Sequence, residues 1–287
     1  MCEVGFSGPR KDLHAGSVLE SLSLDKKVSL RSSDKFRNLT QTLLDYFLRV
    51  STKTTGIESW TIYRALVSLV GTLYFSFYYK CFLIVSLSKG LGNYTLPRYT
   101  TNQMIIGYFQ SYKFLHGDKE ELFLSMLTPS NPGPEWNDWS QRALVEGPVI
   151  VHIRLGDYLL EENFGIVTAS YILESLTKLG VLLDNRPIWV FSDQIDLASR
   201  IVPPTILDRV VWVPEIDADP MATLSIMRLG TGFVIANSSF SWWAARSKQI
   251  LESPVYCPLP WFSGVGTPKD LLPTHWIQVD LNPKEQK

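Results

Sequence analysis

Two regimes of hydrophobic patterning divide the chain. From residue 149 onward, short apolar runs rich in β-branched residues alternate with longer amphipathic stretches. Val149–Ile153, Ile188–Phe191, Val210–Val213, Gly232–Ala236 and Val255–Cys257 have the length and composition of buried parallel strands. Thr168–Leu179 reads as a helix, with Thr168 placed to cap its start and Gly180 to end it. A short helical segment follows Ser192-Asp193. Asp219 caps and Pro220 opens a helix running to Leu229, and Phe240–Gln249 is the next. Strands alternating with helices over ~110 residues predict βαβ units and a parallel, doubly wound sheet.

Before residue 149 the pattern is less regular. Phe36, Leu39, Leu43, Leu44 and Phe47 fall at helical spacing within Asp34–Leu48, and Glu58–Leu66 is a second helical stretch. Ala65–Leu87 carries no charge apart from Lys80, and about 20 such residues would cross a bilayer. Gly71 and Lys80 interrupt it, however, and its aromatics crowd the centre rather than the ends. It reads as a buried or surface-docked helical segment, with membrane contact through residues 65–87 as the less favoured alternative. Lys89–Tyr94 reads as a turn, because Pro97 follows where a phosphate-binding loop would open a helix. Asn131–Pro134 and the polar run to Trp139 read as a loop, ahead of a domain boundary at Gly147-Pro148. The division expected is residues 1–147 and 148–287.

At 45% hydrophobic and 19% charged, the 287-residue chain can bury a substantial core. A formal net charge of −1 argues against non-specific nucleic-acid binding, which needs a basic face. Three unclustered cysteines, Cys2, Cys81 and Cys257, fit a reducing compartment and offer no metal site. The first thirty residues are polar and mixed in charge, so a cytoplasmic location is expected, with membrane association as the alternative. The sequons at Asn38, Asn93 and Asn237 are read as chance matches.

Candidate chemistry gathers at the ends of the strands in the second half, where open α/β sheets bind ligands. The first strand runs into His152, Arg154 and Asp157, the second into Ser192 and Asp193, the fourth into Asn237, Ser238 and Ser239. The last set leads into a helix that begins with Phe240 and Ser241, and its N-terminus is suited to an anion. Arg154 would add a bidentate, permanently charged phosphate partner. Asp193, an acceptor only, suits the N–H donors of a guanine edge or the hydroxyls of a ribose. The structural alternatives are an Arg154–Asp157 ion pair closing a corner and helix capping by Ser238 and Ser239. Asp217-Ala218-Asp219 has the DxD form that holds a divalent metal in many sugar-nucleotide enzymes. Here an N-cap accounts for Asp219, and no metal site is expected.

HIRLGDYL (His152–Leu159), the FSD of Phe191–Asp193, IANSSFSWWAA (Ile235–Ala245) and GYFQSYKF (Gly107–Phe114) together resemble the alpha-1,2-fucosyltransferase family. The resemblance covers roughly residues 100–265. It implies two facing Rossmann-like domains (the GT-B arrangement), the first on the acceptor side and the second binding GDP-L-fucose. It also implies a galactoside acceptor glycan, inversion at the anomeric carbon, and neither a cofactor nor a required metal. By that similarity Arg154 holds the pyrophosphate, His152 and Asp193 contact the nucleoside, and Ser238–Ser241 contact phosphate and nucleoside. Arg154 and Asp157 are then the catalytic candidates, Asp157 as base. His152, Arg154, Ser192, Asp193, Asn237, Ser238, Ser239, Phe240 and Ser241 are the binding candidates.

Two departures from the family pattern stand out. Leu155 occupies the position of a second arginine, and the N-terminus lacks the GGLGNQ-like loop that usually opens the first domain. The expectation is therefore a first domain without its leading βα unit. A catalytically inactive form that binds the sugar nucleotide is the alternative function.

Overall fold

A computed structural model describes residues 2–4, 28–30, 43, 46–47, 50, 58–87, 102–107, 110–114, 127, 129, 131–160, 164–263, 266–268 and 270–281. Its elements in chain order begin with β1 (Cys2–Val4), β2 (Val28–Leu30), α1 (Glu58–Tyr79), β3 (Leu83–Leu87), β4 (Asn102–Ile106) and α2 (Pro134–Glu146). The second half contains β5 (Val149–Ile153), α3 (Ala169–Lys178), β6 (Ile188–Ser192), α4 (Ile195–Ala198), β7 (Val210–Val213) and α5 (Pro220–Met227). It ends with β8 (Gly232–Val234), α6 (Ser239–Arg246), β9 (Val255–Leu259) and β10 (Ile277–Asp280).

The six strands β5 to β10 form one all-parallel sheet in the spatial order β10-β9-β8-β5-β6-β7. Counted from β5, this is the 3-2-1-4-5-6 order of a Rossmann sheet, and the order reverses between β5 and β8. The α/β class with parallel strands expected from the sequence is what the structure shows. The pleat explains why the strands are apolar throughout. Ile150, Trp189, Phe191, Phe233 and Cys257 point to one face, where α2, α5 and α6 supply Ala143, Met221, Met227, Trp242 and Ala245. Val149, Val151, Ile153, Val190 and Val234 point to the other, against Tyr171, Ile172 and Leu176 of α3. A strand covered on both faces has no polar side to alternate. In the first half, β3 and β4 pair in parallel beside α1, and β1 pairs with β2 in parallel.

Four sequence expectations need correction or bounding. The loop expected over 131–139 is helical from Pro134, which occupies the first helical position after Gly133. Its cap comes from 82 residues away: Asp217 accepts the N–H groups of Glu135 (Oδ1, 3.2 Å) and Trp136 (Oδ2, 3.1 Å). Glu135 Oε2 accepts the Asp217 N–H in return, at 2.7 Å. A Cβ on Gly133 would stand 2.3 Å from the Asp217 carboxylate, so glycine there lets the carboxylate in. Second, Ala65–Leu87 is not one helical segment: α1 ends at Tyr79, Lys80 turns the chain at φ 53, and Leu83–Leu87 is a strand. Among the described residues no helix is long and apolar enough to cross a membrane. Third, β10 adds a strand beyond the expected series, held to β9 by parallel pairing from Ile277 to Asp280. Fourth, the turn at Lys89–Tyr94 lies outside the described residues. So does most of the helix expected over Asp34–Leu48, where Leu43, Tyr46 and Phe47 are helical.

Helix α2 precedes the expected boundary in sequence but lies on the six-stranded sheet. Trp139 meets Trp189 edge-on at 5.0 Å, and Arg142 sits over both indoles at 5.0 and 5.4 Å. Trp189 Nε1 donates to Glu146 Oε2 at 2.9 Å, and Trp136 Nε1 donates to Ser225 of α5. Gly147 ends the helix in the left-handed region at φ 55, its N–H bonded to the Ala143 carbonyl.

The two aspartates of the DxD thus cap different helices: Asp217 caps α2, and Asp219 accepts the Met221 N–H of α5 at 2.9 Å. Replacing either by alanine should lower stability by about 1 kcal/mol. In urea unfolding, the midpoint should fall with the slope unchanged. An unaltered midpoint in both variants would remove the capping account.

Candidate active site

The reversal of strand order between β5 and β8 opens a crevice at their carboxyl ends, because the connections on either side leave in opposite directions. His152 and Arg154 come from the β5 end. Asn237 and Ser238 come from the β8 end. Ser192 and Asp193 come from β6, whose Ser192 is in register with Ile153. The candidate residues from three separate stretches of sequence therefore meet on one edge.

Arg154 is held between two carboxylates. Asp157 Oδ1 accepts from Nε at 3.1 Å and from Nη2 at 2.7 Å, and Asp193 Oδ2 pairs with Nη1 at 3.3 Å. A guanidinium has five N–H donors. The two hydrogen bonds to Asp157 use the Nε donor and one on Nη2, and the others sit on the two terminal nitrogens. The terminal edge of a guanidinium is the kind of fork that grips a phosphate. The Arg154 cation also lies 5.7 Å over the Tyr158 ring. The ion pairs are part-exposed and add little to stability; what they supply is orientation.

Asp193 has a second task. Its Oδ1 accepts the Leu155 N–H at 2.9 Å, tying the end of β6 to the turn after β5. A Cβ on Gly156 would come within 2.3 Å of Asp193 Oδ2, so only glycine admits this carboxylate. Both Asp193 oxygens are engaged within the protein. Ser192 Oγ accepts the Gln194 N–H at 3.1 Å and shapes the turn beside it.

On the β8 side, Ser238 caps α6 by accepting the Phe240 N–H at 3.3 Å. Ser241 is fully buried and its hydroxyl meets the Ala236 and Ser238 carbonyls, both at 3.3 Å. Asn237 is buried too: Nδ2 donates to the Trp261 carbonyl at 3.0 Å, and its own carbonyl accepts from Tyr158 Oη at 3.1 Å. That burial accords with reading its sequon as chance. Ser239 is exposed and Phe240 half-exposed at the helix start. Asn237, Ser238 and Ser241 therefore build the turn, while Ser239, Phe240 and the first-turn N–H groups face outward from it.

His152 is buried beside Phe240, ring centroids 5.9 Å apart, and its Nδ1 has no protein partner among the described residues. Burial first, and the positive charge of Arg154 second, lower its pKa to about 3. The ring is therefore neutral at any working pH.

Sequence reasoning did not find two tyrosines that hold this edge. Tyr158 reaches across from the β5 side to Asn237 and stacks on Phe164 at 4.3 Å. Burial pushes its hydroxyl up to about 12, only partly offset by Arg154, so it remains a donor. Tyr171, wholly buried in α3, directs its hydroxyl at the carbonyls of Ile235 (2.7 Å) and Tyr256 (3.1 Å), fixing β8 and β9 just before the site. Tyr158 adjoins the Arg154–Asp157 motif and could have been flagged by position. Tyr171 gives no local signal, since it sits at an ordinary helix core position.

Residues 144–249 match the family model described as glycosyl transferase family 11, a span from the end of α2 through α6. The matched segment contains every residue of the Arg154 cluster and of the α6 start. The resemblance to alpha-1,2-fucosyltransferases is borne out at the level of the family. An alpha-1,2-colitosyltransferase from Escherichia coli is 29% identical over 181 residues, 61% of this chain and 62% of that protein. The O-antigen biosynthesis glycosyltransferase WbnK from Escherichia coli is 26% identical over 133 residues, 45% of this chain and 43% of that protein. The chain thus spans less than two thirds of the length of either relative. A crystal structure of NodZ alpha-1,6-fucosyltransferase soaked with GDP-fucose is 14% identical, with a TM-score of 0.35 over 53% of each chain.

The buried imidazole makes stability depend on pH. Unfolded, His152 titrates near ~6.5; folded, near about 3. Between these values the unfolded chain binds the extra proton, so stability rises with pH through that window and is complete above it. His152→Asn should remove this dependence. The parent should lose up to about 1.4 kcal/mol more per pH unit than the variant between pH 6 and pH 4. Parallel stability–pH curves would show that His152 is not held neutral.

Proposed function

We propose that the chain is an inverting alpha-1,2-fucosyltransferase that passes L-fucose from GDP-L-fucose to a galactose-containing glycan. The observation that carries this reading is the pairing, across the switch-point crevice of the segment that matches family 11, of the Arg154 fork with the capped start of α6. Two positively polarised elements on opposite walls suit a diphosphate bridging between them.

In this reading Arg154 takes phosphate oxygens through its terminal N–H groups while Asp157 and Asp193 hold it in place. The first-turn N–H groups of α6, with Ser239, take the rest of the diphosphate. His152 offers Nδ1 and Phe240 its ring edge to the nucleoside side of the crevice. Fucosyl transfer breaks the bond from the anomeric carbon to the β-phosphate oxygen, and both bonding electrons leave with GDP. Negative charge thus grows on that phosphate in the transition state, and a preorganised cation facing it lowers the barrier. The acceptor hydroxyl attacks the opposite face of the sugar and inverts the anomeric centre. A carboxylate takes its proton, and Asp157 is the candidate, since both its bonds to Arg154 run through Oδ1 alone. One relative is named for colitose transfer, so tests of donor choice should include the GDP-activated form of that sugar beside GDP-L-fucose.

No metal enters this reading, because Arg154 and the helix start supply the positive field. The DxD carboxylates are committed to backbone N–H groups in two helix caps, which supports it. Calorimetric titration with GDP should give the same affinity in chelator as in magnesium. Loss of binding in chelator would overturn the metal-free reading.

Arg154→Lys keeps the charge and loses the planar fork. It should fold normally and keep part of its GDP affinity, yet lose on the order of 100-fold in turnover. Turnover at the parent rate would exclude the assigned role. In the same assay, a base at Asp157 requires Asp157→Asn to depress transfer far more than donor hydrolysis; equal losses would make it a positioning residue. GDP binding without transfer to any galactoside, in the parent itself, would favour the nucleotide-binding alternative.

A further inference from the structure

Helix α1 is apolar on its outer face as well as its inner one. Its hydroxyls face inward to the edge of β3: Thr72 Oγ1 accepts the Val85 N–H at 3.0 Å, and Ser76 Oγ accepts the Leu83 N–H and donates to the Leu83 carbonyl, both at 3.1 Å. Val67, Gly71 and Phe75 complete this inner side, packed on Phe47 and Val85. On the outer side, Ile62, Leu66, Leu69, Val70, Leu73 and Phe77 are each more than half exposed, Phe77 at 88%. No exposed position between Ile62 and Phe77 is charged. A helix on a protein surface ordinarily turns its charged residues outward.

The patch is too large to be incidental. Six large side chains, each more than half exposed, amount to several hundred Å², beyond the ~300–600 Å² of the largest patch on a typical monomer. That approaches the ~800 Å² each partner contributes to a standard interface. Ile62, Leu66, Leu69 and Leu73 are spaced by four, three and four, the repeat of a seam shared by two helices. A helix lying on lipid instead carries Lys and Arg along its polar face. Here the side away from the patch carries two hydroxyls bonded to β3 beside Val67 and Phe75, and Arg64 is the only basic side chain along the Ile62–Phe77 stretch. A second copy presents the same uncharged seam about a two-fold axis and requires no further chemistry.

We infer that α1 is the seam of a homodimer, in which the Ile62–Phe77 faces of two copies pack together. Leu69 lies at the middle of the seam, so it meets its own copy whether the helices run parallel or antiparallel. In sedimentation equilibrium the full chain should be dimeric at micromolar concentration. Leu69→Glu and Leu69→Lys should each be monomeric with unchanged thermal unfolding of the monomer, and an equimolar mixture should recover the dimer. If either variant fails to fold, Leu69→Cys in a Cys2→Ser, Cys81→Ser background decides: a short bis-maleimide should then yield covalent dimer, and the background alone should not. A monomeric parent, a dimer that survives Leu69→Glu, or no covalent dimer would each overturn the inference. So would a monomeric parent that floats with anionic phospholipid vesicles and ceases to do so as Leu69→Glu, which would make the face a lipid contact.

Discussion

One carboxylate organises the crevice. Asp193 stands at the end of β6, receives the N–H of Leu155 just past β5, and pairs with Arg154 between them. A parallel sheet fixes its strands along their hydrogen-bonded length but leaves the segments beyond their ends without partners. Asp193 extends the β5–β6 pairing past the last ladder bond with a side chain. Glycine at 156 is the steric condition for it, and Asp157 closes the other side of the guanidinium. The result is a cation whose direction is set by two acids.

The opposite wall follows the same logic with neutral groups. Ser238 caps α6, Asn237 spans to Trp261, and the hydroxyls of Tyr158 and Tyr171 hold the carbonyls of Asn237 and Ile235. Most candidate residues on this wall are therefore structural in their side chains. Capping and anion binding do not compete in such a turn: the cap engages the Phe240 N–H, and the other first-turn N–H groups remain directed along the helix axis.

The sequence made most of the second half legible because its signals are local. Five of the six sheet strands are short apolar runs between glycine, proline and polar breaks, and the helices after Thr168, Asp219 and Ser238 announce their own caps. The convergence of three strand ends then follows from connectivity alone, before any coordinate is known. What escaped had non-local causes. Asn131–Trp139 is polar and rich in proline, so it reads as a loop; its helix exists because Asp217 brings a cap from elsewhere. The structural task of Asp193 also escaped, because nothing nearby reveals that Gly156 opens room for it to turn inward. Tyr171 looks like any core aromatic until its hydroxyl is seen against two strand carbonyls. The helical run starting at Ala65 and the strand at Leu83 merged into one apolar stretch, since uniform hydrophobicity hides the turn at Lys80.

The cap on α2 also orders events in time. A chain made from its N-terminus presents Pro134–Glu146 long before Asp217 exists, and a thirteen-residue helix without its cap is marginal in water. Its indoles have nothing to rest on until β6 arrives with Trp189, and its first turn is unsatisfied until the segment after β7 delivers the carboxylate. Closing that long loop costs entropy before any contact offsets it, and the cap on α2 is gained only after that cost is met.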